Sequence, residues 1–331
     1  MRRIAQVLIF GLLGFSVHSQ AWEVLPKTPP IPEDNPLTEK KVELGKKLYF
    51  DPRISKTGKV SCNSCHDVRG SGTDNQPVSE GVDGQKGGRN APTVWNSAFW
   101  TVQFWDGRAK SLEDQAKGPM INPVEMGMKD HQAVVDTLSQ IEGYKKEFKE
   151  VFGPENSLTI DNVAKAIAAY ERTLITPDSP YDRYLRGDKK ALSASAKRGM
   201  KLTQTVGCMA CHNGPHFNGP QIPSGFYMKF PNIPGSSYDQ KYDLLSDPGR
   251  YAVTKNEADR HFWRVSSWRN VAITGPYFHN GRVKTLDEAV RVMAKTQLAR
   301  DLKDKEVKDI VAFLESLTGQ RPVQKEPKLP Q

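Results

Sequence analysis

Apolar positions along this 331-residue chain recur with helical rather than strand period. Near the C-terminus Val307, Ile310, Val311 and Leu314 fall at i, i+3, i+4 and i+7, which predicts an amphipathic helix with one buried face. Val163, Ile167, Tyr170 and Leu174 predict another over Asn162 to Ile175, and Leu286 to Leu298 reads as a third. Two segments resemble each other: Leu44-Gly45-Lys46-Lys47-Leu48-Tyr49-Phe50 and Arg198-Gly199-Met200-Lys201-Leu202 both set a glycine within a helical stretch. A glycine there weakens the helix but lets a second helix come close. Few runs alternate with period two, so the predicted class is mainly α, with little β structure and long Pro- and Gly-rich loops. Pro26 to Pro36 reads as an extended arm, and Pro177 to Lys190, polar and rich in turn formers, as a linker. The repeat divides the chain into domains at 22–185 and 186–331.

The first 21 residues stand apart. Met1-Arg2-Arg3 is a basic start, Ile4 to Phe15 is apolar but too short for a comfortable span, and small residues at Val17/Ser19 and Ser19/Ala21 offer cleavage sites. The segment reads as a signal peptide over 1–21. It holds no cysteine for a lipid anchor, and no later window is long and apolar enough to cross a bilayer, so export to the periplasm is expected. Of 47 basic residues, removing Arg2 and Arg3 leaves 45 against 38 acidic ones, a formal +7. The lysines are scattered over helix faces, with no basic stripe interleaved with aromatics, which argues against a nucleic-acid partner.

Cys62-Asn63-Ser64-Cys65-His66 recurs as Cys208-Met209-Ala210-Cys211-His212, and the two copies use all four cysteines. C-x-x-C-H is the covalent attachment site of c-type haem: the thiols bond the porphyrin and the histidine ligates iron. A structural zinc site needs closely grouped ligands, but these pairs lie 146 residues apart (208 − 62). A thioredoxin-type motif needs a βαβ context that neither copy has. Two covalent haems c are therefore expected, one in each cytochrome c-like domain, and two haems imply electron movement.

Gly88-Arg89-Asn90-Ala91-Pro92-Thr93, Phe104-Trp105-Asp106-Gly107-Arg108-Ala109, Gly118 to Met126, Ala168 to Leu174, Pro276 to Gly281 and Met293 to Leu298 resemble motifs of the bacterial dihaem cytochrome c peroxidase/MauG superfamily. The match runs in order from about residue 35 to 318. The resemblance implies that the N-terminal haem, on Cys62, Cys65 and His66, is peroxidatic. The C-terminal haem, on Cys208, Cys211 and His212, would receive electrons, with Met293 as its distal iron ligand. Trp105 would lie between the haems, and Glu125, with Gln115 beside it, would serve peroxide cleavage as acid and base. Asn90, Thr274 and Pro276 would hold Ca²⁺, the last two through backbone carbonyls. The substrate would be H₂O₂, the donor a small cytochrome c or cupredoxin, and the assembly a homodimer as is common in the family.

One departure stands out. Many members carry a Gly-His step before Gln-Lys-Gly, whose histidine blocks the peroxidatic iron until the other haem is reduced. Here the segment is Glu80-Gly81-Val82-Asp83-Gly84-Gln85-Lys86-Gly87, so Val82 takes that place. An ungated iron is expected, with Glu80, Lys86 or Met126 as alternative ligands. Two other functions stay open at this point. MauG-like oxidation of a partner's tryptophans or tyrosines is disfavoured by Met293, where MauG enzymes carry tyrosine, and by Thr205-Val206-Gly207 before Cys208. A passive dihaem electron carrier would leave Glu125 without a role.

Overall fold

The computed structural model describes residues 22–331, so the expected signal peptide lies outside the described residues. The chain order is α1 (Glu39–Phe50), α2 (Cys62–Cys65), α3 (Leu112–Ile121), α4 (His131–Ser139), α5 (Glu142–Phe152), α6 (Ile160–Glu171), α7 (Pro180–Leu185) and α8 (Ala194–Val206). Then follow β1 (Tyr227–Lys229), α9 (Ser237–Tyr242), α10 (Tyr251–Thr254), β2 (Phe262–Arg264), α11 (Leu286–Leu298) and α12 (Asp304–Glu315). The two short strands pair antiparallel, with Met228 opposite Trp263. The structure is mainly helical, as the periodicity predicts.

Side-chain caps set the helix starts. Thr38, Thr159, Ser193 and Thr285 each accept a hydrogen bond from a backbone N–H three residues on, opening α1, α6, α8 and α11. Helix α6 stops at Glu171 rather than Ile175, because the backbone turns there: the Leu174 N–H donates to the Glu171 carbonyl.

The two repeated glycines mark equivalent crossings. A Cβ on Gly45 would lie 1.8 Å from the Ala166 carbonyl oxygen of α6, and one on Gly199 would lie 1.8 Å from that of Asp309 in α12. Each haem motif is thus preceded by a helix pressed backbone to backbone against a partner. Gly199→Ala is expected to lower stability by about 1–3 kcal/mol, since neither backbone can yield easily. Thermal or urea unfolding measures this, with exposed Lys201→Ala on the same helix as the near-neutral control.

One core gathers α1 and α3 to α6 around Leu48, Tyr49, Phe148 and Ile167. A second gathers α7, α8 and α12 around Tyr181, Phe217 and Phe313. The segment read as a linker therefore contains a helix: Tyr181 and Asp182 are fully buried, and the boundary expected at 185/186 falls inside the second core. Polarity misled there because the buried polar groups are paired with Arg269.

The chain ends cross over. Trp22 packs edge-on against Tyr181 and Phe313 of the second core, and the Leu25 N–H donates to Asp182. The extended arm then reaches the first half, where Asn35 donates to Glu113 and to the Lys165 carbonyl. Conversely, the C-terminal tail lies on the first half. Arg321 donates to the Gly70 carbonyl, Tyr170 to Gln324, and the Gly143 N–H to the Gln331 carbonyl.

Candidate active site

Short helix α2 presents Cys62 and Cys65 to a cavity of about 400 Å³ in the first half, and His66 lines the same space. The His66 Nδ1 lies 2.9 Å from the Pro92 carbonyl, which can only accept, so Nδ1 carries the proton and Nε2 keeps its lone pair free. Burial lowers the His66 pKa and keeps the ring neutral. The second motif repeats this arrangement around a cavity of about 210 Å³ lined by Cys208, Cys211 and His212. There Nδ1 of His212 donates to the Phe217 carbonyl at 3.2 Å, the ring stacks on Trp268, and burial lowers its pKa to about 4.

None of the four cysteines is bonded to another. Burial pushes the Cys65 and Cys208 thiols up to about 11, and Cys62 further still. Among the described residues no cluster of three or more His, Cys, Asp or Glu could hold a metal by itself. What each cavity offers is two protonated thiols three residues apart, a neutral imidazole with a free nitrogen, and a largely apolar wall. That set fits a thioether-linked haem with a histidine ligand.

The other residues singled out from sequence collect at these cavities. Gln115 from α3 and Glu125 line the first, Met293 from α11 lines the second, and Trp105 lines both. Glu125 sits in a tight turn from Asn122 to Gly127, where Asn122 Nδ2 donates to its Oε1 at 2.7 Å. Burial raises its pKa, against the Arg108 charge and the Asn122 hydrogen bond. The Trp105 indole N–H donates to the Asn90 carbonyl at 2.8 Å, which fixes the ring between the cavities. Asn90 is buried, and its N–H donates to the His279 carbonyl, tying it to the segment carrying Thr274 and Pro276.

The Val82 side chain is buried and does not line the first cavity. Its N–H donates to the Glu125 carbonyl, and it packs beside Gly127, so the loop lies against the Glu125 turn. Of the three alternative ligands, Glu80 and Lys86 pair with each other in solvent at 2.6 Å. Met126 alone lines the cavity.

Two residues at the cavities were not picked out from sequence. Glu171 is buried in the first, its Oε2 without a hydrogen-bond partner among the described residues, and burial raises its pKa to about 8. Its signal was legible, since it falls four positions after Ile167 on an apolar face. Arg264, on β2, lines the second cavity; a lone arginine in a three-residue strand gives no such signal.

The family profile described as "Di-haem cytochrome c peroxidase" matches residues 39–190. A cytochrome c551 peroxidase of Pseudomonas aeruginosa is 47% identical over 91% of this chain and 87% of its own. The chain belongs to the di-haem cytochrome c peroxidase family. A cytochrome c551 peroxidase of Nitrosomonas europaea is 44% identical over 91% of this chain and 86% of that one. The methylamine utilization protein MauG of Methylorubrum extorquens is 35% identical over 92% and 86%. Among solved structures, a MauG-like protein associated with microbial copper homeostasis superposes with a TM-score of 0.75 at 28% identity, covering 91% of this chain and 96% of that one. As a family member the protein is a di-haem peroxidase, and membership implies two haem groups.

Proposed function

We propose that the enzyme reduces H₂O₂ to two waters in the first cavity, using electrons delivered singly through the second by a small cytochrome c or cupredoxin in the periplasm. The observation that carries this reading is Glu125, a partly desolvated carboxyl on the wall of the first haem cavity. The bound haem supplies the iron to which peroxide binds and the redox capacity to cleave it. Glu125 takes a proton from one peroxide oxygen and returns it to the other, so that water can leave. Asn122 holds the carboxyl in place through Oε1, and Gln115 offers an amide beside the same space. His66 and His212 would hold the haem irons in their respective cavities, and Met293 would be a further ligand in the electron-receiving one. A thioether there raises the potential of an accepting haem. Trp105, lining both cavities, is the aromatic bridge between them.

Ca²⁺ at Asn90, Thr274 and Pro276 belongs to the same reading. It is supported by oxygen donors suited to that ion and by the absence, among the described residues, of a hydrogen bond to either the Thr274 or the Pro276 carbonyl. A homodimer and export through residues 1–21 complete the proposal; no helix among the described residues is long and apolar enough to cross a membrane.

With Val82 in place of the gating histidine, that residue would not block the iron of the first haem in the oxidised enzyme. Fully oxidised enzyme, given H₂O₂ and a reduced small cytochrome c without pre-reduction, should turn over at once. A lag that pre-reduction removes would mean that another group, Met126 first among them, blocks the iron. Peroxide consumption with no cytochrome oxidation would favour the oxidation of a protein partner instead.

A further inference from the structure

Arg264 is 5% exposed, yet its charge has no carboxylate partner among the described residues. The nearby candidate, Asp106, is already engaged by Arg89 and Arg108. The Arg264 Nε donates to the Phe104 carbonyl at 3.0 Å, but Nη1 has no partner among the described residues. Its guanidinium lies 3.7 Å from the centre of the Trp100 ring, which flanks it without neutralising it. Strand pairing with Tyr227, and a hydrogen bond from its own N–H to the Trp105 carbonyl, fix the backbone. The residue lines the second cavity, so an immobilised cation with a spare N–H sits on the wall that takes the C-terminal haem.

A buried charge is costly unless it is paired. The partner that chemistry supplies on this wall is a haem carboxylate: planar, anionic and matched to an arginine fork. We propose that Arg264 is the counter-cation of a propionate of the C-terminal haem and holds that haem's reduction potential up. The inference rests on the di-haem reading and on the second cavity being the electron-receiving one. The surroundings agree, since burial without a counter-charge drops the arginine pKa to about 9, against small opposing effects of Tyr227 and Asp106. A positive charge on this wall would favour the reduced form, whereas a neutral replacement would leave the propionate charge uncompensated.

The test is a spectroelectrochemical titration of the holoenzyme and of its Arg264→Gln and Arg264→Lys variants, with haem content checked in each. Arg264→Gln should shift the C-terminal reduction equilibrium at least tenfold toward the oxidised form, about 59 mV for a one-electron couple, and move the N-terminal haem less. Arg264→Lys should recover most of the difference, because charge rather than shape is responsible. Unchanged C-terminal potential in the glutamine variant, a shift confined to the N-terminal haem, or an equal shift in both variants would overturn the proposal. If the glutamine variant fails to mature, resonance Raman spectra of Arg264→Lys decide: the propionate bending band of the C-terminal haem should move, and an unmoved band refutes the contact. Fewer than two haems in the unsubstituted enzyme would instead sink the di-haem reading.

Discussion

Glu125→Gln should cut peroxide turnover by about 10²–10⁴-fold, the usual cost of losing a positioned acid–base, while both haems stay bound. The substitution is nearly isosteric, and its structural cost is contained. Among the described residues only Asn122 donates a side-chain hydrogen bond to the carboxyl, and the amide oxygen of glutamine can accept that bond unchanged. What disappears is a group that can shuttle a proton at neutral pH. Steady-state oxidation of a reduced cytochrome c, beside absorption spectra of both haems, measures the two arms together. Near-normal turnover would remove Glu125 from the chemistry. An altered haem spectrum would mean that the turn, and not the proton, was lost.

The largest stability loss is expected at Asp182. Its carboxylate and the Arg269 guanidinium are both fully buried, 2.8 Å apart. Asp182 also accepts from the Leu25 and Ser179 backbone N–H groups and the Ser179 hydroxyl, while Arg269 reaches the Pro215 and Glu23 carbonyls. Asp182→Asn strands a buried cation and should cost about 3–5 kcal/mol, seen as a lowered urea midpoint at neutral pH. The double variant with Arg269→Met should be less destabilised than Asp182→Asn alone, because no unpaired charge remains. Burial acts to raise the Asp182 pKa, but Arg269 and the hydrogen bonds prevail and hold it below the ordinary value. The pair's contribution is therefore complete above about pH 3.9 and drains away as pH falls from there toward the lowered native value. In Asp182→Asn that acid-limb slope should be shallower.

What could be read from the chain alone follows from how local each signal is. The periodicity of Val307 to Leu314 found α12, and the matched glycines at 45 and 199 announced two crossings that geometry shows in identical form. The C-x-x-C-H pentapeptides located both cavities because cysteine and histidine are bound to one helix turn. Helix α7 was missed because six residues are too few for a period, and the charge of its buried Asp182 is balanced by Arg269, more than eighty positions away. Arg264 escaped for the same reason: its importance lies in what it lacks, an anion, and a missing partner leaves no mark on neighbouring residues.

The crossed chain ends bear on how such a protein can be divided. Residues 186–190 are exposed, so this is where a protease or a recombination event would cut the chain, leaving α7 on the N-terminal piece. Neither piece would then be whole. The N-terminal fragment would carry off Trp22 and Leu25, which complete the other core, and the C-terminal fragment would keep Arg321 and Gln324, which brace the first. Nicked protein should stay associated, each fragment clasping the other with a borrowed end. A hybrid gene joined at mid-chain would instead give each half a clasp cut for a stranger, so an exchange of haem modules between relatives should succeed only when both chain ends travel with them.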